Sequence, residues 1–152
     1  MWLNIKREGK IFLIFVILLS IVMPVLFALM GGFCNINSVS LLDKKELARL
    51  LATLTFPLTG VLVFVLTQAL TLREKYDGEI HLPEVTAYTI MCWVSAFTIV
   101  ECVITSLFSI QYFKTFCDVW LIIALGFALL ILGSLIFSAL IFCAYTLTEW
   151  FK

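Results

Sequence analysis

Four runs of apolar residues, each long enough to cross a bilayer, constrain this chain more than any other feature. They cover residues 11–33, 47–72, 85–113 and 119–148. A helix needs about 20 mostly apolar residues to span a hydrocarbon core of roughly 30 Å. The first and fourth runs carry no charge, the second only Arg49 near its start, and the third only Glu101. Backbone groups in lipid have no water to bond, so each run must satisfy its own amides as a helix. The runs are continuous and lack the alternation of barrel strands. The expected fold is an all-α integral membrane protein: one domain over residues 1–152, with four transmembrane helices in an up-down-up-down bundle.

Composition excludes the other broad classes. Hydrophobic residues make up 63% of the chain and charged residues 13%, against about 25% charged in a soluble domain. Ten basic and ten acidic residues cancel, so no net field draws a polyanion and no direct nucleic-acid binding is expected.

The expected connections are residues 35–46, 73–84 and 114–118. Asp43 followed by Glu46 reads as a capping box with Asp43 as N-cap, which starts the second helix outside the lipid. Pro57 removes a backbone donor within that helix and reads either as a kink or as a packing residue. The first run exceeds the 7–15 apolar residues of a secretory signal. Phe33, just before Cys34, also stands where a lipoprotein cleavage site needs a small residue, so the run reads as an anchor.

Orientation follows from the basic residues. Both tails and the middle connection share a side holding Lys6, Arg7, Lys10, Arg73, Lys75 and Lys152. Lys44, Lys45, Arg49 and Lys114 lie opposite. The charged start before the first span sets the sense, and both termini are expected in the cytoplasm of a multi-pass inner (plasma) membrane protein. Cys34 and Cys117 then fall at the outer ends of the first and fourth spans, where they read as a disulfide or as two unlinked thiols. One histidine and scattered cysteines give no metal-ligand spacing, and no cofactor is expected.

The cytoplasmic connection is the most informative polar stretch. Arg73, Glu74, Lys75, Tyr76, Asp77, Glu79 and His81 crowd around Asp77-Gly78, a dipeptide suited to a tight hairpin turn. Tyr76 and Ile80 could pair across a short ribbon. The stretch reads as a docking edge for a soluble cytoplasmic protein, or as a solvated chain reversal.

Within the third span Tyr88, Met91, Ser95, Thr98, Cys102, Thr105, Ser109 and Tyr112 alternate at spacings of three and four, a heptad seam on one face. Its middle is small and polar, as helix interfaces in lipid prefer. Thr53, Gly60 and Thr67 recur every seven residues in the second span. Gly126 and Gly133 do so in the fourth, followed by Ser134 and Ser138. These faces predict close helix approach and a homo-oligomer, with Gly126 and Gly133 as the best self-association face.

Glu101 is the single acid inside a span, near its midpoint. A charge there costs at least ~2.5–3.5 kcal/mol on insertion scales. With Thr98, Cys102 and Thr105 it forms a polar site with two open readings: a proton or cation site, or a carboxyl hydrogen-bonded between helices as a clamp. Gln68 and the threonine hydroxyls are the candidate partners. Trp120 and Tyr112 are expected at the outer aromatic boundary, and Tyr88, Tyr145 and Trp150 at the inner one.

No phosphate loop, nucleophile elbow or zinc-protease helix is present, and no enzymatic activity is expected. Four spans, minimal connections and the absence of an enzymatic motif resemble the membrane subunit of the Kiwa anti-phage defence systems. The resemblance covers the whole chain through architecture and size alone, so it carries over no functional residue. It implies an oligomeric membrane anchor and sensor working with a cytoplasmic DNA-binding partner. Two functions remain open: a non-enzymatic scaffold or sensor that holds a soluble partner, and a small oligomeric channel or transporter with Glu101 lining its pathway.

Overall fold

The structure is a computed structural model. It describes residues 33–76 and 83–150, preceded by positions 14, 18, 21, 22 and 25–29; side chains at 33, 34, 76, 83–87, 141, 142 and 144–150 are not described. All described residues are helical except 38–40 and 116–117. The elements are α1 (Phe33–Asn37), α2 (Leu41–Tyr76), α3 (Pro83–Thr115) and α4 (Asp118–Trp150).

Three helical stretches are long and apolar enough to cross a membrane: Leu41–Lys75, Tyr88–Thr115 and Asp118–Leu140. Most of the expected first span lies outside the described residues, although its described positions are helical. The central helix, α3, packs along both α2 and α4, which scarcely touch each other.

The second helix starts earlier than its sequence suggests. Its cap is Ser40, not Asp43: Ser40 Oγ accepts the Asp43 amide at 3.2 Å and donates to Asp43 Oδ2 at 2.6 Å. A serine hydroxyl and an acid three residues on satisfy the first turn together. Only residues 38–40 therefore separate α1 from α2, where the sequence suggested a connection over 35–46. At its other end α2 continues through Arg73, Glu74, Lys75 and Tyr76. Those residues form the last helical turn, so Tyr76 is not part of a ribbon. Asp77, Gly78, Glu79, Ile80 and His81 lie outside the described residues.

α2 runs through Pro57 without interruption, and the ring is exposed. The helix packs with a seam of its own: Lys44, Ala48, Leu51, Thr55, Leu62 and Ala69 are buried, with half-buried Leu58 between them. Spacings of four, three or seven keep one face toward α3. Thr53, Gly60 and Thr67 are exposed, and a side chain at Gly60 would meet open space. The outward face is strongly apolar, with Phe56 84% exposed, as a lipid-facing surface requires.

Two residues, Phe116 and Cys117, join α3 to α4. The Phe116 amide donates to the Tyr112 carbonyl at 2.7 Å, and Phe116 takes a positive φ of 51° to close the helix end. This is the helix-stopping geometry that glycine usually supplies. Phe108 of α3 stacks on Trp120 of α4 at 5.5 Å and on Phe127 at 6.2 Å.

Candidate functional site

The heptad face of α3 is the interior of the helix packing. Ser95, Thr98, Cys102, Thr105, Ser109 and Tyr112 are all buried, and Tyr88 and Met91 are half-buried. Glu101 joins them at 1% exposure. In an α-helix residues three and four apart share a face, so Glu101 lies beside Thr98 and Thr105. The apolar residues around Cys102 come from both neighbours: Leu58 and Leu62 of α2, Ile131 and Leu135 of α4.

Hydrogen bonding on this face is mostly local. Thr98 donates to the Val94 carbonyl, Thr105 to the Glu101 carbonyl and Ser109 to the Thr105 carbonyl, each at 2.8 Å. On the α2 side of the interface Thr59 donates to the Thr55 carbonyl at 2.7 Å. A hydroxyl surrounded by apolar side chains finds its acceptor in the preceding turn.

The tie to α4 is Ser134, whose Oγ donates to Glu101 Oε2 at 3.4 Å. That is near the outer limit for a hydrogen bond. Glu101 Oε1 has no partner among the described residues. Gln68 is exposed and does not reach the site. The sequence placed Ser134 among packing residues and did not connect it with Glu101, because which face of α4 meets α3 is a tertiary relationship. Three helices thus converge here, with Leu62 on α2, Glu101 and Cys102 on α3, and Ile131 and Ser134 on α4.

The glycine face of α4 is divided. Gly126 is buried, whereas Gly133 is exposed and a side chain there would meet open space. Seven residues rotate a straight helix about 20° short of two full turns, and the neighbours change along its length. Ser134 and Ser138 are half-buried.

At the α3–α4 turn the structure assembles a cluster not foreseen from sequence. Lys44 of α2, only 8% exposed, pairs with Asp118 of α4 at 2.7 Å. Tyr112 is fully buried beside them rather than in an aromatic belt, and its hydroxyl has no partner among the described residues. Trp120 is half-buried against Phe108. Lys45 Nζ sits 4.9 Å from the centre of the Phe116 ring. The signal available in the sequence was Lys44 itself, which falls on the α2 seam.

Cys117 is an exposed free thiol. The Cys34 side chain lies outside the described residues, as do Tyr145 and Trp150. Among the described residues no group of His, Cys, Asp or Glu has the arrangement of a metal site. No family model, curated protein or solved structure matches the chain.

Proposed function

We propose that this chain is a non-enzymatic scaffold or sensor subunit of an inner (plasma) membrane. In this reading both termini face the cytoplasm, four helices cross, and copies self-associate and hold a soluble cytoplasmic partner. The observation that supports it best is the use made of the polar interior. Its hydroxyls bond the helix backbone, and Glu101 meets Ser134 across α3 and α4. The hydroxyl bonds stay within α3, and the Glu101–Ser134 contact is the one that clamps α3 to α4. The Kiwa resemblance adds a role in anti-phage defence and a nucleic-acid-binding function residing in the partner, not in this chain.

The partner contact is assigned to the cytoplasmic end of α2 and the residues after it. Arg73, Glu74 and Lys75 form the basic and acidic last turn of the helix. Reversing the charges at Arg73, Glu74, Lys75 and Glu79 should release a co-purifying soluble protein while membrane insertion persists. Retained partner would move the contact to the tails.

A second reading, an oligomeric channel or transporter, draws support from the unpartnered Glu101 Oε1. Ion flux into liposomes containing this chain alone would favour it over the scaffold.

A further inference from the structure

We propose that Glu101, with the hydroxyl oxygens of Thr98, Thr105 and Ser134, forms a binding site for a single monovalent cation, either a proton or a sodium-sized ion. The inference rests on the reading of Glu101 as the clamp between α3 and α4, and requires no conduction.

A hydroxyl has one proton and two lone pairs. Thr98 and Thr105, one turn to either side of Glu101 on the same face, commit their protons to backbone carbonyls. They therefore present only lone pairs to their surroundings. Thr59 has also committed its proton to the backbone. Among the described residues Ser134 alone directs a proton toward the carboxyl, at 3.4 Å. Glu101 is 1% exposed, and its Oε1 has no donor among the described residues.

The surroundings are therefore rich in acceptors and poor in donors. Among the described residues no cation compensates: α2 carries no charged residue between Arg49 and Arg73, and α4 none between Asp118 and Glu149. On the facing elements, Leu58 and Leu62 of α2 and Ile131, Ser134 and Leu135 of α4 are not titratable. Among the described residues Cys102 on α3 is the one other titratable group at this level. An oxygen-only set around one carboxylate suits a hard cation. One positive charge neutralises one carboxylate, whereas a divalent ion would leave excess charge inside an apolar bundle. An occupied site would tighten the long Ser134 contact through a common ligand and make α3–α4 packing responsive to the ion.

The test uses the purified full chain in nanodiscs, with thermal unfolding followed in sodium, potassium and choline chloride at matched ionic strength across a pH series. A ligand that binds only the folded state raises the midpoint logarithmically with its concentration. A sodium-dependent rise that Glu101→Gln abolishes supports a sodium-sized ion. A rise with falling pH, equal in all three salts and lost in Glu101→Gln, supports the proton. A midpoint flat in both, or the same dependence in Glu101→Gln, overturns the proposal. Should Glu101→Gln fail to fold, modification of Glu101 in the wild type by dicyclohexylcarbodiimide, located by mass spectrometry, replaces it. Slower labelling in sodium than in choline at fixed pH supports the sodium-sized ion, and labelling equal in both salts that persists well above the pH range of an ordinary carboxyl supports the proton. Labelling insensitive to salt and confined to the pH range of an ordinary carboxyl removes the site. Partner capture is scored separately, so failure here leaves the scaffold reading standing.

Discussion

Lys44 Nζ and Asp118 Oδ2 meet at 2.7 Å across 74 positions of sequence, joining the first turns of α2 and α4 beside the end of α3. The lysine sits on the buried seam of α2. The aspartate stands in the first turn of α4, where a negative charge also complements the helix dipole. The pair ties together two helices that otherwise scarcely touch.

Removing one partner strands a largely buried charge. Asp118→Asn should lower stability by about 1–3 kcal/mol, below the ~3–5 kcal/mol of a fully buried pair, because the Asp118 side chain keeps 27% exposure. Replacing both, as Lys44→Met with Asp118→Leu, should recover part of the loss. Thermal unfolding of the purified protein in detergent measures both. Additive losses in the double variant would show that the two residues act independently.

Phe116 adopts a left-handed backbone that costs a residue with a side chain roughly 1–2 kcal/mol. Its ring offsets some of that by lying under Lys45, a contact worth about 0.5–1 kcal/mol at an exposed site. Phe116→Gly should therefore be more favourable by about that amount when Lys45 is already Met. A double-mutant cycle on thermal stability reads the coupling. A value of zero would mean the ring contributes only through its edge contact with Tyr112.

The two glycines of α4 should behave differently. Gly126 is buried, so Gly126→Leu should overpack the helix interface and cost about 1–3 kcal/mol. Gly133 is exposed with open space around it. Gly133→Leu should leave the fold intact and reduce the oligomer, as judged by the mass of the detergent-solubilised protein. An unchanged oligomer would place self-association on another face, with that around Gly60 next in line.

Cys117 gives a direct reading of orientation. It is exposed at the α3–α4 turn, and the proposed topology puts that turn outside. In a Cys34→Ser background, a membrane-impermeant maleimide should label right-side-out vesicles, and Cys117→Ser should abolish the signal. Labelling confined to inverted vesicles would reverse the topology and move the proposed partner surface to the outer face.

Much of the α3 site was legible because periodicity is a local property. The spacing from Tyr88 to Tyr112 marks one face of a helix whatever lies next to it, and in lipid such a small, polar face is best buried. Glu101 stood out because a lone acid in an apolar span is costly. Helix starts were read less well: Ser40 and Asp43 both suit a cap, and side-chain geometry chose Ser40.

The sequence alone determined that the chain must be helical and apolar-faced, since lipid leaves backbone groups no other partner. It also marked which residues share a face along α3. Which face of one helix meets another is set by packing between helices far apart in sequence. That choice brought Ser134 to Glu101, Lys44 to Asp118 and Tyr112 into the interior, and it separated Gly126 from Gly133. The physical reason is that side-chain packing between helices selects rotation and depth together, and residues 33 or 74 positions apart carry no local signal of that choice.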